Sequence, residues 1–95
     1  MITQEGDRLL IEGPVTIGTV SALLAQSRTL LAPGVAVLDF QGVTEVDSAA
    51  VALALACLRE ARRHNLVLSL ANLPDAMKHL AQLYAVSELL RIAPA

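Results

Sequence analysis

The segment VAVLDFQGVTEVDSAAVALALACL, residues 35–58, decides the fold. It begins with Val35–Phe40, a β-branched and nearly continuous apolar run that is typical of a central strand buried on both faces. A predicted loop over Gln41–Asp47 follows, and then a helix over Ser48–His64 whose first half is apolar on nearly every side. A strand, a loop and a helix in this order indicate one unit of a parallel sheet with crossover helices.

The same alternation of strands and helices continues on both sides of this segment. The other predicted elements are strands over 2–4 and 8–12 around a turn at 5–7, a helix over 19–31, a strand over 66–70 and a helix from Pro74. Breaks are expected at Gly13-Pro14 and Pro33-Gly34, and Glu88–Ile92 forms either a last edge strand or a frayed helix end. We therefore predict one α/β domain over residues 1–95, with a four- to five-stranded mixed, mostly parallel sheet and three or more helices.

The composition excludes several classes of function. The 95 residues carry a net charge of -2, one Phe, one Tyr and no Trp, so both a basic footprint and base-stacking aromatic side chains for nucleic acid are missing. The single Cys57 cannot form an internal disulfide, which fits a reducing compartment. No signal-peptide pattern opens the chain, and its longest apolar run is too short to span a bilayer. We expect a cytoplasmic protein without direct membrane insertion.

The polar residues before the second helix allow several interpretations. Asp47 or Ser48 can cap the free N–H groups of the helix, a contribution of about 1 kcal/mol. The position also follows a parallel strand, and open α/β sheets bind ligands and partners at this carboxyl edge. A phosphate on Ser48 would be stabilised by the helix N-terminus and would add about two negative charges to any docking surface there.

Catalysis by Ser48 lacks a base. His64 lies about 24 Å along the same helix, His79 lies in another helix, and the glycine-flanked G-x-S-x-G pattern of a nucleophilic serine is absent. Three acidic residues could together bind a hard metal ion: Asp39, Glu45 and Asp47. They are not part of a calcium-binding loop, because the glycine pattern of such a loop is absent. We expect no catalytic residue, no metal and no cofactor.

Residues 35–58 resemble the signature of the STAS domain, the fold of anti-sigma-factor antagonists and of the cytoplasmic tails of sulfate transporters. The family pattern is a buried strand with an Asp at its end, then V-x-x-[IV]-D-[ST]-[AS]-G before an apolar helix. This chain matches it from Val43 through Asp47, Ser48 and Ala49, and has Ala50 in place of the glycine. LLIEGPVT, LVLSLANL and PDAMKHLAQLYAV fall in the family's order, although GPVT replaces a usually acidic turn.

The short length, the DSA motif and the LAQLYAV ending are most similar to the MlaB-type branch, the small STAS subunits of phospholipid-trafficking ABC transporters. The resemblance implies a non-enzymatic domain, peripheral to the inner membrane, that binds the transporter's ATPase subunit and through it a permease. Ser48 aligns with the family's phosphorylatable Ser/Thr, and the resemblance places it at the partner contact. The residues expected to support this interface are Thr44, Glu45, Asp47, Ala49, Ala50 and Val51. The alternative is an anti-sigma-factor antagonist that a serine kinase regulates by phosphorylating Ser48.

Overall fold

The computed structural model describes residues 1–84, which form a mixed sheet of four strands and three helices. The elements are β1 (Ile2–Glu5), β2 (Arg8–Val15), α1 (Val20–Leu30), β3 (Val37–Val46), α2 (Ser48–Arg63), β4 (Ser69–Ala71) and α3 (Asp75–Leu83). The strands lie in the order β1-β2-β3-β4; β1 is antiparallel to β2, and the other two pairs are parallel. This confirms the predicted mixed, mostly parallel α/β sheet. The element predicted at Glu88–Ile92 lies outside the described residues.

The helices cover one face of the sheet. Both crossovers, from β2 to β3 and from β3 to β4, advance in the same direction, and right-handed crossovers then place α1 and α2 on the same side. The helices contact each other in chain order, α1 with α2 and α2 with α3. Phe40, the only phenylalanine, is the largest fully buried side chain of this core. The rest of the core consists of aliphatic and sulfur side chains, among them Leu9, Ile11, Leu38, Leu53, Cys57, Leu70 and Met77.

The unbroken apolar half of α2 reflects its central place among the helices. Ala50 and Ala54 are fully buried, and Ala61 is buried about two turns beyond Ala54. Alanine adds little bulk on that side of the helix, and it is the best helix former. The backbone of α2 therefore approaches α1 and α3 closely, and its buried side chains join the same apolar core as those of the sheet.

Strand β3 continues to Val46, so the predicted loop over Gln41–Asp47 is wrong. The predicted break at Gly13-Pro14 is wrong for the same reason, because β2 extends beside β3 as far as Val15. Two register shifts allow this, and in both of them β3 carries one residue more than β2; Thr44 is the extra residue of the second. Bulges of this kind allow a strand to contain a proline. In a sequence read alone, the same proline indicates the end of a strand.

Strand β4 is shorter than the predicted strand over 66–70 and begins later, at Ser69. The N–H of Leu66 donates to the Ala61 carbonyl oxygen at 2.8 Å, so Leu66 still belongs to the turn that closes α2. Asn65 has a φ of 59° in that turn, a left-handed conformation that asparagine tolerates. Extended pairing therefore starts only after the chain has left the helix.

Candidate docking site at the carboxyl edge of the sheet

The three parallel strands end at one edge of the sheet, and all three helices begin there. We call this region the carboxyl edge and define it as residues 16–19, 43–48 and 72–76. It contains Ser48 and the predicted interface residues that precede it in the sequence, but not the three that follow it. The last turns of α1 and α2, which carry Arg28, Arg62 and Arg63, lie at the opposite ends of those helices.

Asp47 holds the carboxyl edge together. Its Oδ1 accepts a hydrogen bond from the Ala49 N–H at 2.8 Å, and its Oδ2 accepts one from the Ile17 N–H at 3.0 Å. Asp47 rather than Ser48 is therefore the N-cap of α2, which settles a choice that the sequence left open. The same carboxylate fixes the loop between β2 and α1, so one side chain orients two segments.

Ser48 is the first residue of α2 and its side chain is exposed. Its hydroxyl has no hydrogen-bond partner within residues 1–84, since Asp47 already performs the capping. The first turn of α2 contains no acidic side chain. Ser48 thus presents a small, unoccupied hydroxyl beside the positive end of a 16-residue helix.

Thr44 and Glu45 are exposed next to Ser48, but they project from strand β3 rather than from a loop. Their neighbours in the strand, Val43 and Val46, are half-buried and pack against the core. These four residues line a groove of about 200 Å³ whose other wall is the start of α3, at Pro74 and Ala76. The edge therefore offers both polar side chains and an apolar depression.

Ala49, Ala50 and Val51 lie beneath this surface. Ala50 is fully buried, and the other two are less than one-tenth exposed. A partner resting on Ser48 does not reach Ala50 or Val51 unless the fold changes. These residues can therefore contribute to an interface only indirectly, by supporting Ser48 from the core.

Asp39 forms a second polar cluster, separate from Asp47, with side chains from both neighbouring strands or their ends. Its Oδ2 accepts from Arg8 Nη1 at 2.8 Å, and its Oδ1 accepts from the Gln41 N–H at 2.9 Å and from Asn72 Nδ2 at 3.0 Å. The carboxylate oxygens are thus already engaged by donors. Within residues 1–84 no group of three or more His, Cys, Asp or Glu side chains is arranged to hold a metal ion.

The pKa of Asp39 is lowered by this cluster. Burial alone acts to raise the pKa of the carboxyl group, because it disfavours the charged form. Hydrogen bonds from Asn72, the Gln41 backbone and Arg8, together with the positive charge of Arg8, outweigh that effect and bring the pKa below the ordinary 3.8. Asp39 is therefore a charged structural residue at neutral pH.

The described residues bring no base to the candidate nucleophiles. The ring of His64 contacts Glu60 at 3.3 Å at the far end of α2, and His79 is exposed on α3. Burial raises the pKa of the Cys57 thiol, which is fully enclosed, so it is neither ionised nor accessible at neutral pH.

Sequence reasoning missed Ile17. This residue is 81% exposed, although the end of β2 before it and the start of α1 after it pack against the core. The signal was present as a lone large apolar residue in the turn sequence Thr16-Ile17-Gly18, where neither a strand nor a helix core requires one. It also missed that Asn72 and Arg8 would satisfy Asp39, because those contacts join strands distant in sequence.

Several solved structures share this architecture. Among solved structures, the unphosphorylated anti-sigma factor antagonist SpoIIAA is similar with a TM-score of 0.71 and 17% identity, covering 99% of this chain and 87% of that one. A sulfate transporter family protein from Wolinella succinogenes gives 0.67 and 17%, covering 90% and 73%. Mglu gives 0.56 and 23%, covering 79% of this chain and 19% of Mglu. At these identities the similarities concern the fold alone.

The family comparison is more specific. The family described as "Mlab, STAS domain" matches residues 1–91, whereas no curated protein matches the chain. STAS domains are generally non-catalytic. No helix within residues 1–84 has both the length and the apolar character needed to cross a membrane. Since the family match covers almost the entire chain, this protein belongs to the STAS domain family of the Mlab type.

Proposed function

We propose that the protein is a non-enzymatic subunit that docks on the ATPase of a bacterial Mla-type phospholipid ABC transporter and supports or regulates it. Through that partner it associates with the cytoplasmic side of the inner membrane and contributes to the lipid asymmetry of the outer membrane. The observation that carries the proposal is the exposed Ser48, held at the start of α2 by the Asp47 cap in a chain of the Mlab family.

Several features of the carboxyl edge support docking. The edge is fixed by the hydrogen bonds that Asp47 accepts from two segments, so a partner binds it without first ordering a loop. Exposed Thr44, Glu45 and Ser48 supply polar contacts around the apolar groove beside β3. An apolar centre with a polar rim is the usual anatomy of a protein interface.

Ser48→Glu is expected to weaken ATPase binding at least tenfold, a loss of about 1.4 kcal/mol or more, because it places a charge inside the contact. The fold should not suffer, since a carboxylate in the first turn of a helix interacts favourably with the dipole by about 0.3–1 kcal/mol. Calorimetric titration measures the affinity, and thermal unfolding of the isolated variant measures the stability. Unchanged affinity for this variant would count against Ser48 as a contact.

A matched control places the same charge elsewhere. Ala32 is exposed in the connection after α1, at the opposite end of that helix, and Ala32→Glu should leave ATPase affinity unchanged. Ser48→Ala removes the hydroxyl without adding charge and should reduce affinity less than Ser48→Glu. If Ala32→Glu weakens binding equally, the effect comes from net charge and not from the carboxyl edge.

A second candidate is an anti-sigma-factor antagonist controlled by phosphorylation, which is favoured by the exposure of Ser48 at a helix N-terminus. An affinity pull-down of the tagged protein from its native cytosol and solubilised membranes distinguishes the two by mass spectrometry. Recovery of an ABC ATPase with its permease supports the transporter function. Recovery of a serine kinase without a transporter, with phosphate found on Ser48, supports the alternative.

A further inference from the structure

Ile17 is the most exposed of the large apolar side chains within residues 1–84, at 81%. Single exposed apolar residues are common and need no explanation by themselves. Ile17 differs from an ordinary one because its N–H is bonded to Asp47, the residue that caps the helix beginning at Ser48. The side chain therefore projects from the carboxyl edge directly beside the proposed contact.

The backbone that carries Ile17 is held in place on both sides. The Thr19 hydroxyl donates to the Pro14 carbonyl oxygen at 2.9 Å and accepts from the Thr16 N–H at 3.0 Å. Together with the bond from Ile17 to Asp47, these contacts span the whole connection between β2 and α1. An isoleucine side chain is also stiff at χ1, so little conformational entropy is lost when a partner covers it.

The charges along the carboxyl edge, on which Ile17 lies, indicate what kind of surface would cover it. Exposed carboxylates flank the groove at Glu45, on β3, and at Asp75, in the first turn of α3. The arginines of α1 and α2 lie toward the other ends of their helices, and Lys78 is the one cation on α3, one turn beyond Asp75. A partner with positive side chains around an apolar pocket is thus complementary in both charge and hydrophobicity.

The geometry points to Ile17 as the apolar anchor of the docking surface, inserted into an aliphatic pocket of the ATPase subunit that is rimmed by Lys or Arg side chains facing Glu45 and Asp75. This inference rests on the proposed function and specifies the chemistry of its partner. It assigns Ile17 the main apolar contact and assigns Ser48 a neighbouring contact that requires a small, uncharged side chain.

The test measures binding of the full chain to the purified ATPase by calorimetric titration, for the natural sequence, Ile17→Ala and Val67→Ala. Ile17→Ala should weaken binding at least tenfold without lowering the melting temperature, because the side chain is mostly in solvent in the free protein. Val67 is 72% exposed and lies before β4, at the other end of that strand, so Val67→Ala should leave affinity unchanged. The pair of substitutions Glu45→Gln and Asp75→Asn should slow association severalfold at low salt and much less at 0.5 M salt.

The possible outcomes separate this inference from the proposed function. If the natural chain binds the ATPase and Ile17→Ala binds equally well, the anchor is wrong while the proposed function stands. If the natural chain does not bind the ATPase, the proposed function fails and the anchor fails with it. Light scattering tests whether a second copy of the chain occupies this surface instead. If the natural chain is a dimer and Ile17→Ala is a monomer, the surface binds a second copy and the inference is overturned.

Discussion

Replacing Asp47 with alanine is expected to lower the free energy of unfolding by about 2–3 kcal/mol. The N-cap bond to Ala49 contributes about 1 kcal/mol, and the second charge-assisted bond, to the Ile17 N–H, contributes about 1.5 kcal/mol. This is a large fraction of the stability of a small domain. Urea unfolding followed by circular dichroism measures the change.

Asp47→Asn separates the two functions of this carboxylate. Asparagine is as good an N-cap as aspartate, but its amide nitrogen cannot accept the bond from Ile17 that the second oxygen accepts. We expect Asp47→Asn to cost about half as much stability as alanine and to weaken ATPase binding, because the loop bearing Ile17 is released. Equal stability of the alanine variant and the natural chain would show that neither bond matters.

Replacing Asp39 with alanine is expected to have an effect of similar or larger size, about 3 kcal/mol. The side chain is 5% exposed, and its loss leaves the donors from Gln41 and Asn72 without their acceptor. Arg8 contributes less, since its side chain is 45% exposed and solvent screens its charge. Arg8→Gln should therefore cost no more than about 1 kcal/mol, and a larger loss would contradict this division of the cluster.

The Asp39 cluster also predicts a pH dependence. The folded-state pKa of Asp39 lies below the unfolded value of 3.8, so the unfolded chain binds the proton more readily. The contribution of Asp39 is complete above the unfolded pKa and is lost as the pH falls through the folded one. Unfolding free energies measured from pH 7 down to 2 should fall more steeply below about pH 4 for the natural chain than for Asp39→Asn. Parallel curves would exclude Asp39 as a source of the acid sensitivity.

The sequence was sufficient for the fold because the decisive segments carry strong local patterns. The strand predicted over Val35–Phe40 is present, although β3 begins two residues later at Val37, and α2 begins at Ser48 as predicted. The ends of β2 and β3 were not predictable in this way, since Gly13-Pro14 ordinarily breaks a strand. Only pairing between the two strands, with a bulge at each register shift, shows that both continue.

The candidate site was predictable only where a local sequence pattern determines it. A polar residue before an apolar helix indicates a cap, and Asp47 is that cap. Exposure depends on the tertiary packing, and it was therefore not apparent that Ala50 is buried while Ile17 projects into solvent. The roles of Ser48 and its neighbours in an interface remain predictions until a partner is measured.

The two bulges of β3 bear on how the protein behaves at high concentration. Strand β4 pairs only with Val37–Asp39, so residues 40–46 have no strand on that side within the part of the chain described. A long open strand edge ordinarily recruits strands from other molecules and begins aggregation. The extra residues in β3, including Thr44, interrupt the regular spacing of backbone donors and acceptors and increase the local twist. A foreign strand can then form few hydrogen bonds in register, which protects a crowded solution of the protein against β-type aggregates.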